Sequence, residues 1–213
     1  MRLFRKKIKQ EHKIMLQAER AKGALLPEYH RATPECPHPD RWRMYDSMTA
    51  EAEVLEFLRT LVTTIKPNLI VETGAFLGVS AIWFAEGLRE NGFGRIISCE
   101  LDPKVFAKAQ EKIVASGLGE WIDLRNTSSF DMEVPGQIDL FFGDSDLDIR
   151  EEEVRRFLPL ISPNGLILMH DASSHLRKVR EATLKLEAEG LISAVLLPTP
   201  RGLVVAQKRE GRK

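Results

Sequence analysis

Short unbroken aliphatic runs alternate along this chain with stretches whose apolar residues recur every three or four positions. Residues 69–71 (Leu-Ile-Val), 95–99, 121–125, 138–143 and 166–170 read as strands. The first is aliphatic throughout, as a strand covered on both faces must be. Helical patterns fall between them. Residues 49–65 carry Val54, Leu55, Leu58, Leu61 and Val62 on one face, and a second helix covers 79–90. A third covers 103–116, with Asp102 as N-cap and Pro103 as first helical residue. Asp148 and Glu151 have capping-box spacing and open a fourth helix, which Pro159 stops. Asn164-Gly165 reads as the turn into the fifth strand, and 175–189 as the last helix. Residues 192–197 and 203–208 flank a short turn, Pro198-Thr199-Pro200-Arg201-Gly202, and are expected to form an antiparallel hairpin. Strands alternating with helices five times call for a mostly parallel sheet with right-handed crossovers. The expected fold is therefore α/β and Rossmann-like: a mostly parallel seven-stranded sheet, helices on both faces, ending in an antiparallel hairpin.

The first 47 residues break this pattern. Residues 3–21 can be helical with a narrow apolar stripe, and 23–40 hold Pro27, Pro34, Pro37 and Pro39. We expect 1–47 to be a basic helix and Pro-rich cap, and 48–213 to be the main domain. Trp42 and Tyr45, just before that domain, can serve either ordinary packing or a substrate mouth. At 213 residues and 43% hydrophobic, the chain is long enough for one domain with a substantial core. Its zero net charge hides an asymmetry, because residues 1–22 carry eight Lys/Arg against two Glu. A basic arm of this kind is either a solvated helix face or a nucleic-acid or membrane contact. No apolar run approaches a membrane span, and the first residues are too charged for a secretory signal. Cys36 and Cys99 suggest no disulfide framework, so a reducing, cytoplasmic setting is expected.

Candidate chemistry concentrates in residues 68–80, N-L-I-V-E-T-G-A-F-L-G-V-S. A buried strand, a glycine turn at Gly74 and Gly78, and the start of a helix make a site for a polar or anionic ligand. The dinucleotide fingerprint needs glycine where Phe76 stands, and Glu72 puts negative charge where a pyrophosphate would lie. A ligand with a cationic end and no phosphate suits this loop better.

The stretch V-E-T-G-A-F-L-G-V-S-A resembles motif I of the class I S-adenosylmethionine-dependent methyltransferases, particularly the catechol and caffeoyl-CoA O-methyltransferase branch, over about residues 48–208. The terminal hairpin is also the topology of that class. The resemblance implies S-adenosylmethionine as cofactor. It implies cofactor contacts from Met48, Glu72, Gly74, Ala75, Phe76, Gly78, Ser80, Glu100, Leu101, Ser128, Ser129 and Asp144. Ser80 would bond the cofactor's carboxylate and Ser128 and Ser129 the adenine edge. Glu100, 26 residues beyond Gly74, offers two acceptor oxygens that match the vicinal hydroxyls of a ribose.

Asp144 and Asp171 end the fourth and fifth strands, where two converging carboxylates repel unless a cation or proton sits between them. In the resembling enzymes that cation is magnesium, so Asp144 and Asp171 are the expected metal ligands. Two departures stand out: the family's Asp-Asn pair is Asp171-Ala172 here, and its lysine base is Leu147. Asp146 or Asp148 is the candidate replacement ligand. His170 is the candidate general base, with Asp144 and Asp171 completing the catalytic set. The motif G-D-S-D with M-H-D-A is similar to sugar and antibiotic-tailoring methyltransferases of the macrocin type. The expected activity is O-methylation of a small-molecule hydroxyl, with magnesium or another divalent cation as candidate helper. A small-molecule acceptor is the expected partner, no membrane is involved, and a homodimer is open. RNA ribose or tRNA methylation and a non-catalytic S-adenosylmethionine-binding protein are the alternatives.

Overall fold

The computed structural model describes residues 42–209 apart from Met44, Ser47 and His175. The expected helix at 3–21, the Pro-rich segment, Cys36 and the basic arm lie outside the described residues. Seven strands and five helices follow in order: α1 (Ala52–Ile65), β1 (Leu69–Thr73), α2 (Val79–Asn91), β2 (Arg95–Glu100), α3 (Pro103–Ser116), β3 (Ile122–Asn126), β4 (Ile138–Gly143), α4 (Arg150–Phe157), β5 (Ile161–His170), α5 (Lys178–Ala188), β6 (Ile192–Leu197) and β7 (Leu203–Lys208). They form one sheet of order β3-β2-β1-β4-β5-β7-β6. All neighbours up to β5 are parallel, and β7 is antiparallel to both β5 and β6. The mostly parallel seven-stranded sheet with a closing hairpin is as expected.

Side-chain alternation on a two-faced sheet explains why the strands are so apolar. Ile70, Leu140 and Leu168 face a core shared with α1 and α2, while Val71, Phe141 and Ile167 face a second core shared with α4 and α5. The helix ends follow local chemistry. Asp102 caps α3 by accepting from the amides of Lys104 (2.7 Å) and Val105 (3.1 Å), with Pro103 at its first position. Asp148 and Glu151 do not form a capping box, and α4 starts at Arg150 with no side-chain cap. Glu151 turns instead to Arg155 and Lys185, and Asp148 pairs with Lys178 of α5. Asn164-Gly165 is not a turn before β5 but lies within it, at a register shift against β4 between Ile138 and Leu140.

Ahead of α1, Arg43 pairs with Glu53 at 2.7 Å and Glu56 at 2.9 Å, and Tyr45 joins the α1–α2 core. Burial pushes the Tyr45 phenol up to about 12. Of the two readings of this aromatic, packing is what the geometry supports.

β1 is the strand at which the chain reverses direction across the sheet, with β2 on one side and β4 on the other. The crevice beyond the carboxyl ends of β1 and β4 is where such sheets take ligands.

Candidate active site

The chain leaving β1 is pinned to its neighbours on both sides. Gly74 and Ala75 donate their amides to the carbonyl of Cys99 on β2, at 3.1 and 2.9 Å, and Asp144 donates its amide to the carbonyl of Thr73, at 3.0 Å. Gly74 has φ +80°, and a Cβ there would lie 2.5 Å from the carbonyl oxygen of Asp144. The first glycine is therefore required by the approach of two loops, quite apart from any ligand. Phe76 also has positive φ, at 48°, and donates its amide to Glu100 Oε2 at 2.9 Å. The other oxygen of Glu100 accepts from the amide of Asp102 at 2.9 Å. The carboxylate at the end of β2 is thus fixed against the glycine loop, and each oxygen keeps a lone pair.

Glu72 is fully buried at the end of β1. Its Oε2 accepts from the hydroxyl of Ser98, while Oε1 makes no hydrogen bond of good geometry. Burial raises its carboxyl to about 7, against the opposing pull of the Ser80 and Ser98 hydroxyls.

Across the crevice lies a cluster of opposite charges. His170, fully buried at the end of β5, has Nε2 at 2.8 Å from Glu51 Oε2 and Nδ1 at 3.2 Å from Asp144 Oδ1, with Asp171 Oδ1 3.6 Å away. Burial alone would lower the imidazole, but the charge and hydrogen bond of Asp144, with Glu51 and Asp171, raise it to about 10. Burial would likewise raise Glu51, yet His170 and the amide of Arg201 hold it down at about 2. The histidine is thus an imidazolium between carboxylates at neutral pH. It has no lone pair with which to take a proton. Arg201 completes the cluster by donating Nε to Asp171 Oδ1 at 2.7 Å and Nη1 to the carbonyl of Thr49 at 3.1 Å. Asp171 is held with φ 63°, a conformation uncommon outside glycine and typical of functional turns.

Behind the cluster sits Arg150, fully buried, its guanidinium bonded to the carbonyls of Gly143, Ser145 (2.5 Å) and His170 (3.2 Å). Glu153 accepts from the hydroxyls of Thr73 (3.0 Å) and Ser145 (2.6 Å). These two residues of α4 lock the ends of β1, β4 and β5 together.

One cleft collects Met48, Gly74, Ala75, Phe76, Ser80, Asp144, Asp171 and Arg201. Asp46 builds its rim, accepting from the amides of Met48 (2.7 Å) and Thr49 (2.6 Å). Half of the residues expected from sequence therefore line one cleft, whereas Glu72, Gly78 and His170 do not. Glu100, Leu101, Ser128 and Ser129 stand beyond the adjoining strand ends of β2 and β3 and do not line this cleft. Asn126 ties those ends together, donating to the carbonyls of Glu100 (2.8 Å) and Leu101 (3.1 Å). Leu101 is 70% exposed, Ser128 accepts from the amide of Phe130, and Ser129 is buried with its carbonyl bonded to Arg156. Neither Asp146 nor Asp148 joins the cluster: Asp146 accepts from the amide of Asp148, and Asp148 pairs with Lys178.

Asp144, His170 and Asp171 offer donor atoms within 4.8 Å of one another, yet they do not suit the magnesium of the resembling enzymes. That ion takes oxygen ligands, and here one donor is an imidazole whose two nitrogens both face carboxylates. The third ligand position is the buried methyl of Ala172, and a guanidinium already holds Asp171. Glu51, Arg201, Arg150 and Glu153 had no signal in the sequence; the first two stand in a helix lead-in and a proline-rich turn that spell no motif.

Residues 71–172 match the methyltransferase-domain family. The chain is 34% identical over 119 residues to a catechol O-methyltransferase of Niastella koreensis, covering 53% of each. It is 29% identical over 138 residues to caffeoyl-CoA O-methyltransferase 2 of Zea mays, covering 61% of this chain and 50% of that enzyme. The matched stretch thus spans about half the length of these two relatives. In fold, the chain is similar to an O-methyltransferase from Bacillus cereus in complex with S-adenosylhomocysteine, with TM-score 0.70 and 21% identity over 77% of this chain and 84% of that one. It is also similar to an S-adenosylhomocysteine-bound methyltransferase of Podospora anserina, with TM-score 0.70 and 20% identity over 91% and 96%. With the sheet order and the glycine loop, these matches make the chain similar in fold and motif to S-adenosylmethionine-dependent methyltransferases, and in sequence to enzymes named catechol and caffeoyl-CoA O-methyltransferase.

Proposed function

We propose that this protein methylates a hydroxyl of a small-molecule acceptor at the expense of S-adenosylmethionine. One observation supports this above the others: a single cleft joins the glycine loop after β1 to the charged cluster after β4 and β5. The residues suit the cofactor. Glu72 Oε1 is a buried acceptor without a hydrogen bond of good geometry, and a cationic group is the complement its surroundings lack. When bound, the cofactor supplies an electrophilic methyl group on a sulfonium.

Glu72 would face the cofactor's cationic end and the backbone of Gly74, Ala75, Phe76 and Gly78 would follow it, with Ser80 toward its carboxylate. Glu100 and Leu101 would hold the ribose, and Ser128 and Ser129 the adenine edge, with Met48 closing the methionine end. We assign acceptance of the hydroxyl proton to Asp144, which reaches the cleft, and not to His170, which already carries a proton on each nitrogen. His170 fixes the orientation of Asp144 from behind. The catechol and caffeoyl-CoA names of the relatives support a small hydroxyl-bearing acceptor.

Isothermal calorimetry tests this reading. S-adenosylhomocysteine should bind with one site per chain, and Glu100→Ala should weaken it about tenfold or more, the effect of losing one or two hydrogen bonds to a charged group. NAD(H) should not bind. Unchanged affinity in Glu100→Ala, or NAD(H) binding in place of S-adenosylhomocysteine, would overturn it.

A further inference from the structure

The position that the catechol-type resemblance gives to a divalent cation already has a permanent one beside it. Arg201 sits in the turn between β6 and β7, far in sequence from every other member of the cluster. Its Nε bonds Asp171 Oδ1 at 2.7 Å, its Nη1 bonds the carbonyl of Thr49 at 3.1 Å, and its own amide bonds Glu51 Oε1 at 2.8 Å. The turn that delivers it is locked to the loop after β5. Ser173 donates its amide to the carbonyl of Arg201 at 2.7 Å, and Ala172 to that of Gly202 at 3.1 Å. Gly202 has φ +80°, and a Cβ there would come within 2.4 Å of the Ser173 amide nitrogen. The guanidinium is thus held by a built scaffold and is not a surface side chain that happens to reach inward.

Arg201 is only 15% exposed in its side chain and lines the same cleft as Asp144 and Asp171. Its third nitrogen, Nη2, has no partner among the described residues. Two features of the sequence agree with a cation of this kind. Ala172 stands where a third metal ligand would, and Leu147 where a lysine would.

We propose that Arg201 replaces the divalent cation: it offsets the charge of Asp171 and turns its free Nη2 toward the acceptor oxygen, so that methyl transfer here needs no metal. The inference rests on the methyltransferase reading above. It also narrows the acceptor. A divalent cation coordinates several oxygens at once and so favours two on adjacent carbons. A guanidinium donates hydrogen bonds and does not chelate, so the acceptor needs no vicinal diol.

The test uses the full chain dialysed against a chelator, then unfolded by heat with MgCl2 or MnCl2 in excess. The wild-type midpoint is expected not to move. Arg201→Gln removes the guanidinium from Asp171 and leaves it only the more distant His170, 3.6 Å away, and one of the two salts is expected to raise its midpoint by about 5 °C or more. Adding Asp144→Asn to that variant should remove the gain. A purely structural arginine would produce no such gain. Either a comparable rise in the wild type or an Arg201→Gln variant indifferent to both ions would overturn the proposal. Should Arg201→Gln fail to fold, the metal content of wild type dialysed against MnCl2 decides: one ion per chain rejects the proposal, and none supports it. Calorimetry with S-adenosylhomocysteine on the same wild type separates the two ideas. Loss of that binding counts against the methyltransferase reading, whereas metal uptake counts against the role of Arg201.

Discussion

Glu72 carries an unusual property for a residue at the end of a central strand, a carboxyl raised to about 7 because burial penalises its charged form. The folded chain holds this proton more tightly than the unfolded chain does. Its contribution to stability is therefore complete below the ordinary carboxyl range, near 4.5, and is lost as pH rises through about 7. The span corresponds to about 3 kcal/mol. Denaturant unfolding at pH 5 and pH 8 should show wild type losing more stability than Glu72→Gln by roughly that amount. Identical losses in the two proteins would show that Glu72 titrates normally. A ligand with a cationic end favours the ionised carboxylate, so affinity for S-adenosylmethionine should rise over the same pH interval in wild type and stay flat in the variant. Glu72 was legible in the sequence because it precedes Gly74 in a recognisable loop. Glu51 and Arg201 were not: what makes them part of the site is contact across 119 and 30 residues of chain, to His170 and Asp171.

At the scale of elements, most strands and helices follow from apolar period and end chemistry, and Asp102-Pro103 marks the start of α3 to the residue. α4 is where local reading fails. The spacing of Asp148 and Glu151 is that of a capping box, but a lysine on α5 takes Asp148 and two basic residues take Glu151. Tertiary partners outbid the local bond. The same helix hides a residue with no signal in the sequence, since Arg150, in the charged run R-E-E-E-V-R-R, is fully buried. Its carbonyl bonds align the ends of β4 and β5, and hence Asp144 and Asp171. Arg150→Met should cost about 3–5 kcal/mol, because it leaves Glu153 and three strand-end carbonyls buried without the guanidinium. Adding Glu153→Gln should recover part of that loss, since the uncompensated charge is then gone. Equilibrium unfolding of the two variants measures both effects, and a single-variant cost under about 1 kcal/mol would mean that strand ends hold without the guanidinium.

For the whole molecule, the open matter is where the domain begins. Composition puts the boundary at residue 48, where the proline-rich stretch gives way to periodic apolar residues. Ahead of that boundary, Arg43 and Tyr45 already pack against α1. Arg43, with its side chain 3% exposed, reaches Glu53 through both its amide (3.0 Å) and Nε (2.7 Å), and Tyr45 fills the core under α1. Asp46 then holds the backbone of Met48 and Thr49 on the rim of the cleft. These contacts couple the lead-in to both stability and ligand binding. A chain starting at 48 loses a buried aromatic and uncovers Glu53 and Glu56, which should cost about 3–5 kcal/mol, or about 10 °C in thermal midpoint, relative to a chain starting at 42. It should also bind S-adenosylhomocysteine more weakly, since Met48 and Thr49 lose the carboxylate that orders them. Scanning calorimetry and titration of the two truncated chains measure both effects. Equal midpoints would place the first structural contact at α1 itself, whereas a lower midpoint with unchanged affinity would separate the lead-in's packing from the shaping of the cleft.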